Sequence, residues 1–447
     1  MTLPPGMPPG HPRGEHVLVP RPEARHYALR CRACNRVIED DGFVLGCPSP
    51  HEPAFLVADY HNRRFQPDRS SADLFRFHSW LPIGRRMAGV GSGATYRSER
   101  LARAAGLDEL WIAFNGWWPE RGATLATGTF KELEAWTVLA RLPQRPAGTL
   151  VIASAGNTAA AFARACSLAE VACLIIVPES GLAQVLSPEE RAPWVKLVVL
   201  DHPADYADAI ALAGWLAEVE KYYPEGGVRN VARRAGLGTV LLDALDTMGR
   251  LPDYYFQAVG SGAGAIGVFE AAERLVEDGG FGDQLPRLML SQNHPFTPLY
   301  DSWRTGSRVL VRMDAEVARR RAAQILTPVL SNRQPPYAIL GGVYDALHTS
   351  GGDMLAVDNA AARQARALFE EHEGIDIDPA GAVALASLLQ AARDGRIAKG
   401  ATVLLNVTGG GRERRLREGS LRHARPDVRI ARSEIRRSGA VEMVGAL

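Results

Sequence analysis

Short apolar runs alternate with amphipathic segments from about residue 148 onward. The runs TLVIA, ACLIIV and KLVVL predict strands, whereas TAAAFARACSLAE and YADAIALAGWLAEVEKYY predict helices. The same alternation returns in YYFQAVGSG, AIGVFEAAERLVED and PRLMLSQN. Strands that alternate with helices are typical of a parallel sheet covered on both faces. The pattern therefore predicts an α/β protein, with either a second sheet or a return to the first sheet after residue 250.

Lys131 stands in the segment TGTFKELEA, where a turn-rich stretch meets a helix-favouring run. A lysine held at such a junction can be fixed and partly desolvated, which lowers its pKa and makes a neutral amine available for a Schiff base. A solvated lysine at a helix start is the plain alternative. Three later segments favour the chemical interpretation, because each follows an apolar run that predicts a strand: SAGNTAAAFA at 154–163, AVGSGAGAIG at 258–267 and NVTGGG at 406–411.

Gly262, Gly264 and Gly267 form the pattern GxGxxG between a predicted strand and a predicted helix, which is also the dinucleotide-binding pattern. The usual partner of that pattern is an acidic residue at the end of the next strand, but RLMLSQN ends in Gln292 and Asn293. A glycine loop at a helix N-terminus still presents free backbone N–H groups to an anion. A tight turn alone needs fewer glycines. We therefore expect an anion at this loop.

The ordered set of segments resembles the fold type II pyridoxal-phosphate enzymes, and within them the threonine synthase and cysteate synthase families. Gly128, Thr129, Phe130 and Lys131 match the Gly-Ser-Phe-Lys motif of the threonine synthases. The resemblance to the cysteate synthases is closer, because it extends over FNGWWPERGA, TYRSERLA, NRQPPYAILGGVYDAL and EGIDIDPAGAVALA. It covers about residues 27–410.

The resemblance implies a fold like that of the tryptophan synthase β subunit. Two α/β domains with parallel-rich sheets would hold pyridoxal 5'-phosphate in the cleft between them. The expected division is a flexible Pro/Gly-rich tail at 1–26, a zinc-ribbon-like segment at 27–55, a large domain at 56–134 and 251–410, a small domain at 135–250 and a basic segment at 411–447.

The resemblance also implies the residues that bind the cofactor. Lys131 would carry the cofactor covalently and act as the catalytic base, Asn157 would contact the 3-hydroxyl, and Thr408 would face the pyridine nitrogen. A hydroxyl at that nitrogen leaves the ring largely neutral, which suits elimination and replacement. A threonine that caps a glycine-rich turn is the plain alternative for Thr408. The phosphate would bind to Gly260, Ser261, Gly262, Ala263, Gly264 and Ala265.

Substrate contacts are expected at two places. Ser154, Asn157 and Thr158 lie at the start of a predicted helix, and the resemblance assigns this loop to the α-carboxylate of the substrate. A helix N-terminus attracts carboxylates, although ordinary N-capping by Ser or Asn is the plain alternative. Arg97 is the leading candidate for a contact to a second substrate anion, because arginine binds phosphate or sulfonate bidentately.

The reaction implied by the resemblance to the cysteate synthases is the replacement of the phosphate of O-phospho-L-serine by sulfite, which gives L-cysteate. The product could serve coenzyme M synthesis or secondary metabolism. Three alternatives stay open at this point. The chain could convert O-phosphohomoserine to threonine, use another anionic nucleophile, or be a catalytically inert binding protein with the same fold.

Composition gives no reason to expect nucleic acid or a membrane as a partner. The chain has 447 residues, with 51 basic and 50 acidic side chains, so no general field attracts a polyanion. The first residues lack the apolar core of a signal peptide, and residues 146–163, though free of charge, contain Pro, Gly, Ser, Asn and Thr. We expect a soluble cytoplasmic enzyme for small molecules, assembled as a homo-oligomer. The basic segment after residue 411 lacks aromatic residues for stacking on bases, so a solvated tail or a partner contact is expected there.

Five cysteines do not suggest a disulfide framework. Cys31 and Cys34 have the separation of a zinc knuckle, and Cys47 with His51 could complete a Cys3His site. Some threonine synthases carry four cysteines in this region, so the sequence also allows a ribbon that has lost its metal. Cys166 and Cys173 lie in apolar runs and are expected in the core.

Overall fold

The computed structural model describes residues 25–438, 442 and 444, so most of the tail predicted at 1–26 lies outside the described residues. The strands are β1 (Tyr27–Cys31), β2 (Val37–Ile38), β3 (Leu56–Tyr60), β4 (Ala94–Arg97), β5 (Glu109–Phe114), β6 (Trp117–Trp118), β7 (Ala123–Thr124), β8 (Thr149–Ala153), β9 (Cys173–Pro178), β10 (Leu186–Ser187), β11 (Val195–Leu200), β12 (Tyr222–Pro224), β13 (Tyr254–Ala258), β14 (Arg287–Asn293), β15 (Asp353–Val357), β16 (Thr402–Val407), β17 (Arg422–His423) and β18 (Val428–Ile430). The α-helices are α1 (Glu99–Ala105), α2 (Lys131–Arg141), α3 (Asn157–Leu168), α4 (Glu179–Leu182), α5 (Tyr206–Leu216), α6 (Val231–Met248), α7 (Ala263–Asp278), α8 (Pro298–Arg304), α9 (Ala315–Ala322), α10 (Val343–Thr349), α11 (Asn359–Glu373), α12 (Pro379–Arg393) and α13 (Arg412–Arg417).

Two separate sheets form the body of the protein, which decides between the two arrangements that the sequence left open. The smaller sheet has the order β12-β8-β9-β11-β18, and all of its pairs are parallel. The central strand β9 is buried along its whole length. This burial explains why its sequence, CLIIVP, is apolar throughout and does not alternate.

The C-terminal segment contributes to the smaller sheet. Strand β18 pairs in parallel with β11, and β17 pairs with β10. Ile430 is fully buried beneath this sheet edge. The described part of the basic segment is therefore not a free solvated tail, because its short apolar stretch covers the edge of the sheet.

The larger sheet has the order β15-β14-β13-β16-β5-β4. Its pairs are parallel except at one edge, where β4 runs antiparallel to β5. Helix α12 packs against β13 and β16, and its residues Ala382 to Leu385 are fully buried. An α/β fold with parallel-rich sheets, as predicted, is confirmed.

One predicted helix is shorter than its sequence pattern. The segment YADAIALAGWLAEVEKYY forms α5 only to Leu216, and its last tyrosines enter β12. Tyr222 pairs with Thr149 at the edge of the smaller sheet. Strand pairing outweighs the helical pattern there, which is a tertiary effect.

The helices α6 and α7 lie against each other at glycines. A β-carbon on Gly267 would lie 2.0 Å from the carbonyl oxygen of Arg234, and one on Gly238 would lie 2.5 Å from the carbonyl oxygen of Gly267. The third glycine of the GxGxxG pattern, Gly267, thus permits close packing of α6 against α7. The expected boundary between residues 134 and 135 falls inside α2, and the two-domain division stays a prediction.

A small antiparallel sheet of order β2-β1-β3 precedes the two larger ones. Leu29 and Leu56 are buried in it, together with Val231 at the start of α6. Within the described part of the chain, no helix has both the length and the apolar content needed to cross a membrane.

Candidate active site

Lys131 is the first residue of α2, at the junction between loop and helix. The loop before it is buried at Thr127 and Thr129. The buried carboxylate of Glu132 accepts a hydrogen bond from Thr127 Oγ1 at 2.8 Å and a second one from the Thr127 backbone N–H. These contacts fix the loop, and with it the point from which the lysine side chain extends.

The amine of Lys131 lies in a charged environment. Its Nζ donates to Glu134 Oε2 at 3.1 Å, and Glu134 Oε1 accepts a hydrogen bond from Thr158 Oγ1 at 2.8 Å. Burial lowers the pKa of Lys131 below its usual range, although the carboxylate of Glu134 opposes this shift. The side chain is thus held in one place and its neutral form is favoured relative to an exposed lysine.

The glycine loop after β13 leads directly into α7. Gly262 has a positive φ of 81° and precedes the first helical residue, and within the described chain no side chain caps this helix end. A β-carbon on Gly264 would lie 2.7 Å from Gln257 Nε2 and 3.1 Å from the ring of Phe130. The start of α7 therefore packs tightly against Phe130, the residue before Lys131. The N-terminus of this sixteen-residue helix faces the space between the glycine loop and the lysine loop.

Thr408 follows β16 and lies next to the lysine loop. The Phe130 backbone N–H donates to the Thr408 carbonyl oxygen at 2.9 Å. The Thr408 hydroxyl lies 3.5 Å from Asp378 Oδ1. The other oxygen of Asp378, Oδ2, is buried and has no hydrogen-bond partner in the described structure, and burial raises the pKa of Asp378 to about 6.

The loop 154–158 joins β8 to α3. Ser154 Oγ accepts hydrogen bonds from the N–H groups of Gly156 at 3.0 Å and Ala159 at 2.9 Å, so its oxygen serves this loop. Asn157 Oδ1 accepts a hydrogen bond from Arg412 Nη1 at 2.9 Å. That bond occupies the amide oxygen, and no described residue accepts a hydrogen bond from the Asn157 amide nitrogen.

Arg233 was not singled out by the sequence, yet it lines the same space. Its guanidinium donates to both carboxylate oxygens of Glu225, at 2.8 and 2.7 Å, and Nη1 lies 3.4 Å from Glu134 Oε1. Burial opposes its charge, but Glu134 and Glu225 raise the pKa of Arg233 overall. The surrounding sequence VARRAG contains no motif that predicts Arg233 in the site. Only tertiary packing brings α6 close to Lys131.

Most of the predicted site residues line one cleft. The predicted residues in its wall are Lys131, Ser154, Asn157, Thr158, Gly260, Ser261, Gly262, Ala263, Gly264 and Thr408. Further residues that the sequence did not indicate are Tyr206, Arg233, Gln257, Asn332 and Ala380.

Two predicted residues do not line the cleft. Ala265 is buried inside the first turn of α7. Arg97 is exposed and pairs with Trp111 in the amino-terminal half of β5. The cleft is formed at the carboxyl ends of the parallel strands. Because β4 runs antiparallel to β5, its last residue lies at the opposite end of the sheet. The structure therefore does not support Arg97 as a substrate contact.

The residues present fit pyridoxal 5'-phosphate. The uncapped start of α7 offers backbone N–H groups to a phosphate. Lys131 and Thr408 line the same space. The four residues of the cysteine cluster, Cys31, Cys34, Cys47 and His51, also lie together, but they do not line this cleft.

Comparison with known proteins gives the same fold class. Residues 96–409 match the family model described as pyridoxal-phosphate dependent enzyme. A solved serine racemase from maize is similar in fold, with a TM-score of 0.54 and 17% identity over 72% of this chain and 88% of that chain. The processed form of threonine deaminase isoform 2 from Solanum lycopersicum has a TM-score of 0.52 and 18% identity over 73% of this chain and 81% of that chain.

Curated relatives at higher identity are cysteate synthases. The cysteate synthase of Methanosphaerula palustris is 48% identical over 390 residues, which is 87% of this chain and 90% of the relative. That of Methanosarcina acetivorans is 43% identical over 410 residues, 92% of this chain and 98% of the relative. The fold and the site define a pyridoxal-phosphate enzyme of fold type II. Within that class, the chain belongs to the family of the cysteate synthases.

Proposed function

We propose that this protein replaces the phosphate of O-phospho-L-serine with sulfite and so forms L-cysteate. The observation that carries the proposal is the convergence of Lys131, the glycine loop and Thr408 on one cleft, in a chain that is 43–48% identical to cysteate synthases. The relatives do not favour the threonine synthase or the inert binding protein considered from the sequence.

Four contacts would hold the cofactor. The N-terminus of α7 would bind its phosphate, the free amide donor of Asn157 would bind the 3-hydroxyl, and Thr408 would contact the ring nitrogen. Lys131 would provide the covalent attachment. When bound, the cofactor withdraws electrons from the substrate's α-carbon, so that the α-proton can be removed.

Lys131 is the residue positioned to move that proton. Its lowered pKa favours the neutral amine that a general base requires. Glu134 accepts a hydrogen bond from Nζ at 3.1 Å, so it orients the amine and stabilises the ammonium that forms after proton transfer. Arg233, next to Glu134, balances the carboxylate charge.

The substrate and the nucleophile are both anions, so the cleft needs cationic and N–H donors. Among the described residues that line it, Arg233 is the one arginine. Glu225 holds its guanidinium through two hydrogen bonds, so the group is oriented before a ligand arrives. We propose that Arg233 takes the place assigned from the sequence to Arg97 and attracts the substrate phosphate and then sulfite. The start of α3 would bind the α-carboxylate.

The proposed reaction is tested with purified protein and two substrates, each with and without sulfite. O-phosphoserine should release phosphate, and with sulfite the product should have the mass of cysteate. Formation of threonine from O-phosphohomoserine at the higher rate would replace this function by threonine synthesis. No phosphate from either substrate would indicate a binding protein.

We also propose a cytoplasmic homo-oligomer, in keeping with the sequence-based expectation. Light scattering of the cofactor-loaded protein after size exclusion measures the assembly. A mass equal to one chain over a hundredfold range of concentration would contradict it.

A further inference from the structure

Four side chains outside the active site form a compact cluster with the geometry of a metal site. The ligand atoms of Cys31, Cys34, Cys47 and His51 all lie within 4.8 Å of one another. Cys34 Sγ is 3.7 Å from Cys47 Sγ, and Cys31 Sγ is 3.3 Å from His51 Nε2. Metal bonds of about 2.3 Å to sulfur and about 2.0 Å to nitrogen in a tetrahedron give edges of about 3.8 and about 3.5 Å. The two separations given above, 3.7 Å between the sulfurs and 3.3 Å between sulfur and nitrogen, are close to these edges.

The backbone around the cluster supports the same geometry. Cys31 ends β1, and its N–H donates to the Arg36 carbonyl oxygen at 3.0 Å, which closes the turn that contains Cys34. The N–H of Ala33 points to Cys31 Sγ at 3.4 Å. Such a bond stabilises a thiolate, the form in which cysteine binds a metal.

The histidine is oriented by a second contact. Nδ1 of His51 donates to the Glu52 carbonyl oxygen at 2.6 Å, which leaves Nε2 as the acceptor that faces Cys31. Metal-binding histidines commonly have such a partner on the other ring nitrogen. The distance of 3.7 Å between Cys34 and Cys47 is far longer than the roughly 2.05 Å of a disulfide.

We infer that these four residues bind one zinc ion, and that this ion holds loop 35–46 in place. Three thiolates and one imidazole in a tetrahedron favour zinc over the hard cations, which prefer oxygen ligands. The sequence lacks a fourth cysteine, which left open a ribbon that has lost its metal. In the structure, His51 lies beside the three cysteines and can serve as the fourth ligand.

The loop that the zinc would close at both ends contains Asp40. Its buried carboxylate accepts hydrogen bonds from Arg141 Nε at 2.8 Å and Nη2 at 2.7 Å. Arg141 also donates to Asn230 Oδ1 at 3.0 Å. Arg141 is the last residue of α2, which begins at Lys131, and Asn230 caps α6, which contains Arg233.

The chain segment between Cys34 and Cys47, together with the contacts of Asp40 and Arg141, therefore connects the cysteine cluster to α2 and α6. The zinc would restrict loop 35–46, Asp40 would fix Arg141, and Arg141 would hold the end of α2 against the start of α6. We infer that the ion acts as a structural support for the position of Lys131 and Arg233. It takes no part in the chemistry, because none of its ligands lines the cleft.

The experiment uses the cofactor-loaded protein, purified without chelator. Elemental analysis should give one zinc per chain, and protein produced with cobalt should show the absorption bands of a tetrahedral thiolate site. His51→Ala and Cys34→Ser should lose the metal, and both positions are exposed enough to tolerate the change. His51→Cys should keep it as a four-cysteine site, and Cys166→Ser, at a buried cysteine of α3 outside the cluster, is the cysteine control.

The supporting role has its own readout, the rate at which the protein releases pyridoxal phosphate after dilution. His51→Ala should release it several-fold faster than wild type, whereas His51→Cys should not. Asp40→Asn should keep the zinc and still show faster release. Wild-type protein without zinc, or with a Cys34–Cys47 disulfide in its mass spectrum, would overturn the metal site. An unchanged release rate in zinc-free His51→Ala would overturn the supporting role.

Discussion

The backbone N–H of Phe130 donates to the carbonyl oxygen of Thr408 at 2.9 Å. This bond joins the loop before Lys131 to the end of β16, and Thr129 forms an antiparallel bridge with Gly409 beside it. The proposed covalent anchor of the cofactor and the proposed partner of its ring nitrogen are thus parts of one rigid unit. Because the bond uses the Thr408 main chain, the side chain can be changed without breaking it.

Lys131→Ala should abolish covalent attachment of pyridoxal phosphate, because the amine that forms the bond is gone. Borohydride reduction followed by peptide mapping should find the label on Lys131 in wild type and on no residue in the variant. Lys131→Arg, which keeps a cation beside Glu134, is the control for the ion pair. A label on Lys196, Lys221 or Lys399, all of which lie outside the cleft, would make this assignment wrong.

Thr408→Ala should weaken cofactor binding by roughly two- to tenfold, because one neutral hydrogen bond contributes about 0.5–1.5 kcal/mol. Titration of cofactor-free protein, followed by absorbance, measures the dissociation constant. Thr408→Ser keeps the hydroxyl and should bind like wild type. Three equal dissociation constants would show that this hydroxyl does not contact the ring.

Arg233→Lys should raise the KM for O-phosphoserine by at least tenfold, because lysine cannot keep both the bidentate contact with Glu225 and the charge at the cleft. Lysine is chosen because removing the charge would leave two buried carboxylates uncompensated. Arg97→Ala, at an exposed position away from the cleft, should change neither kcat nor KM. An increase in KM for Arg97→Ala with none for Arg233→Lys would reverse the assignment.

Asp378→Asn should change how stability depends on pH. Burial raises the pKa of Asp378 to about 6 in the folded protein, against the opposing charges of Arg412 and Arg366, whereas an unfolded chain has a value of about 3.9. Between these values only the folded state binds the proton. Above pH 6 the ionised carboxylate of Asp378 therefore lowers the free energy of unfolding by up to about 3 kcal/mol. Below about pH 4 the carboxyl is protonated in both states and this effect disappears.

Asparagine keeps an acceptor for the Gly381 N–H, which Asp378 Oδ1 binds at 2.6 Å. The variant should be more stable than wild type at pH 8 and should lose this advantage at pH 4. Urea unfolding of the cofactor-free protein at both pH values measures the difference. An advantage of the same size at pH 4 and pH 8 would mean that the Asp378 carboxyl does not titrate in this range.

Many of the strands and helices could be predicted from local sequence patterns. The run TLVIA became β8, and AIGVFEAAERLVED lies within α7, because buried parallel strands and amphipathic helices have distinct periods. The turn-rich sequence before Lys131 predicts that a helix starts at this lysine, and α2 begins at that residue in the structure. These features depend on neighbours a few positions away, which the sequence shows directly.

The sequence by itself determined the α/β class, the order of the loops that follow the strands, and the ligand spacing of the cysteine cluster. Tertiary structure alone decided that Arg233, and not Arg97, lines the cleft. It also decided that Asp40 bonds Arg141 at the end of α2, and that Arg141 bonds Asn230 at the start of α6. The physical reason is that each of these outcomes depends on how separate helices and strands pack. Arg97 does not line the cleft because the antiparallel edge strand β4 places it at the far end of the sheet, whereas packing of α6 against α2 places Arg233 near Lys131.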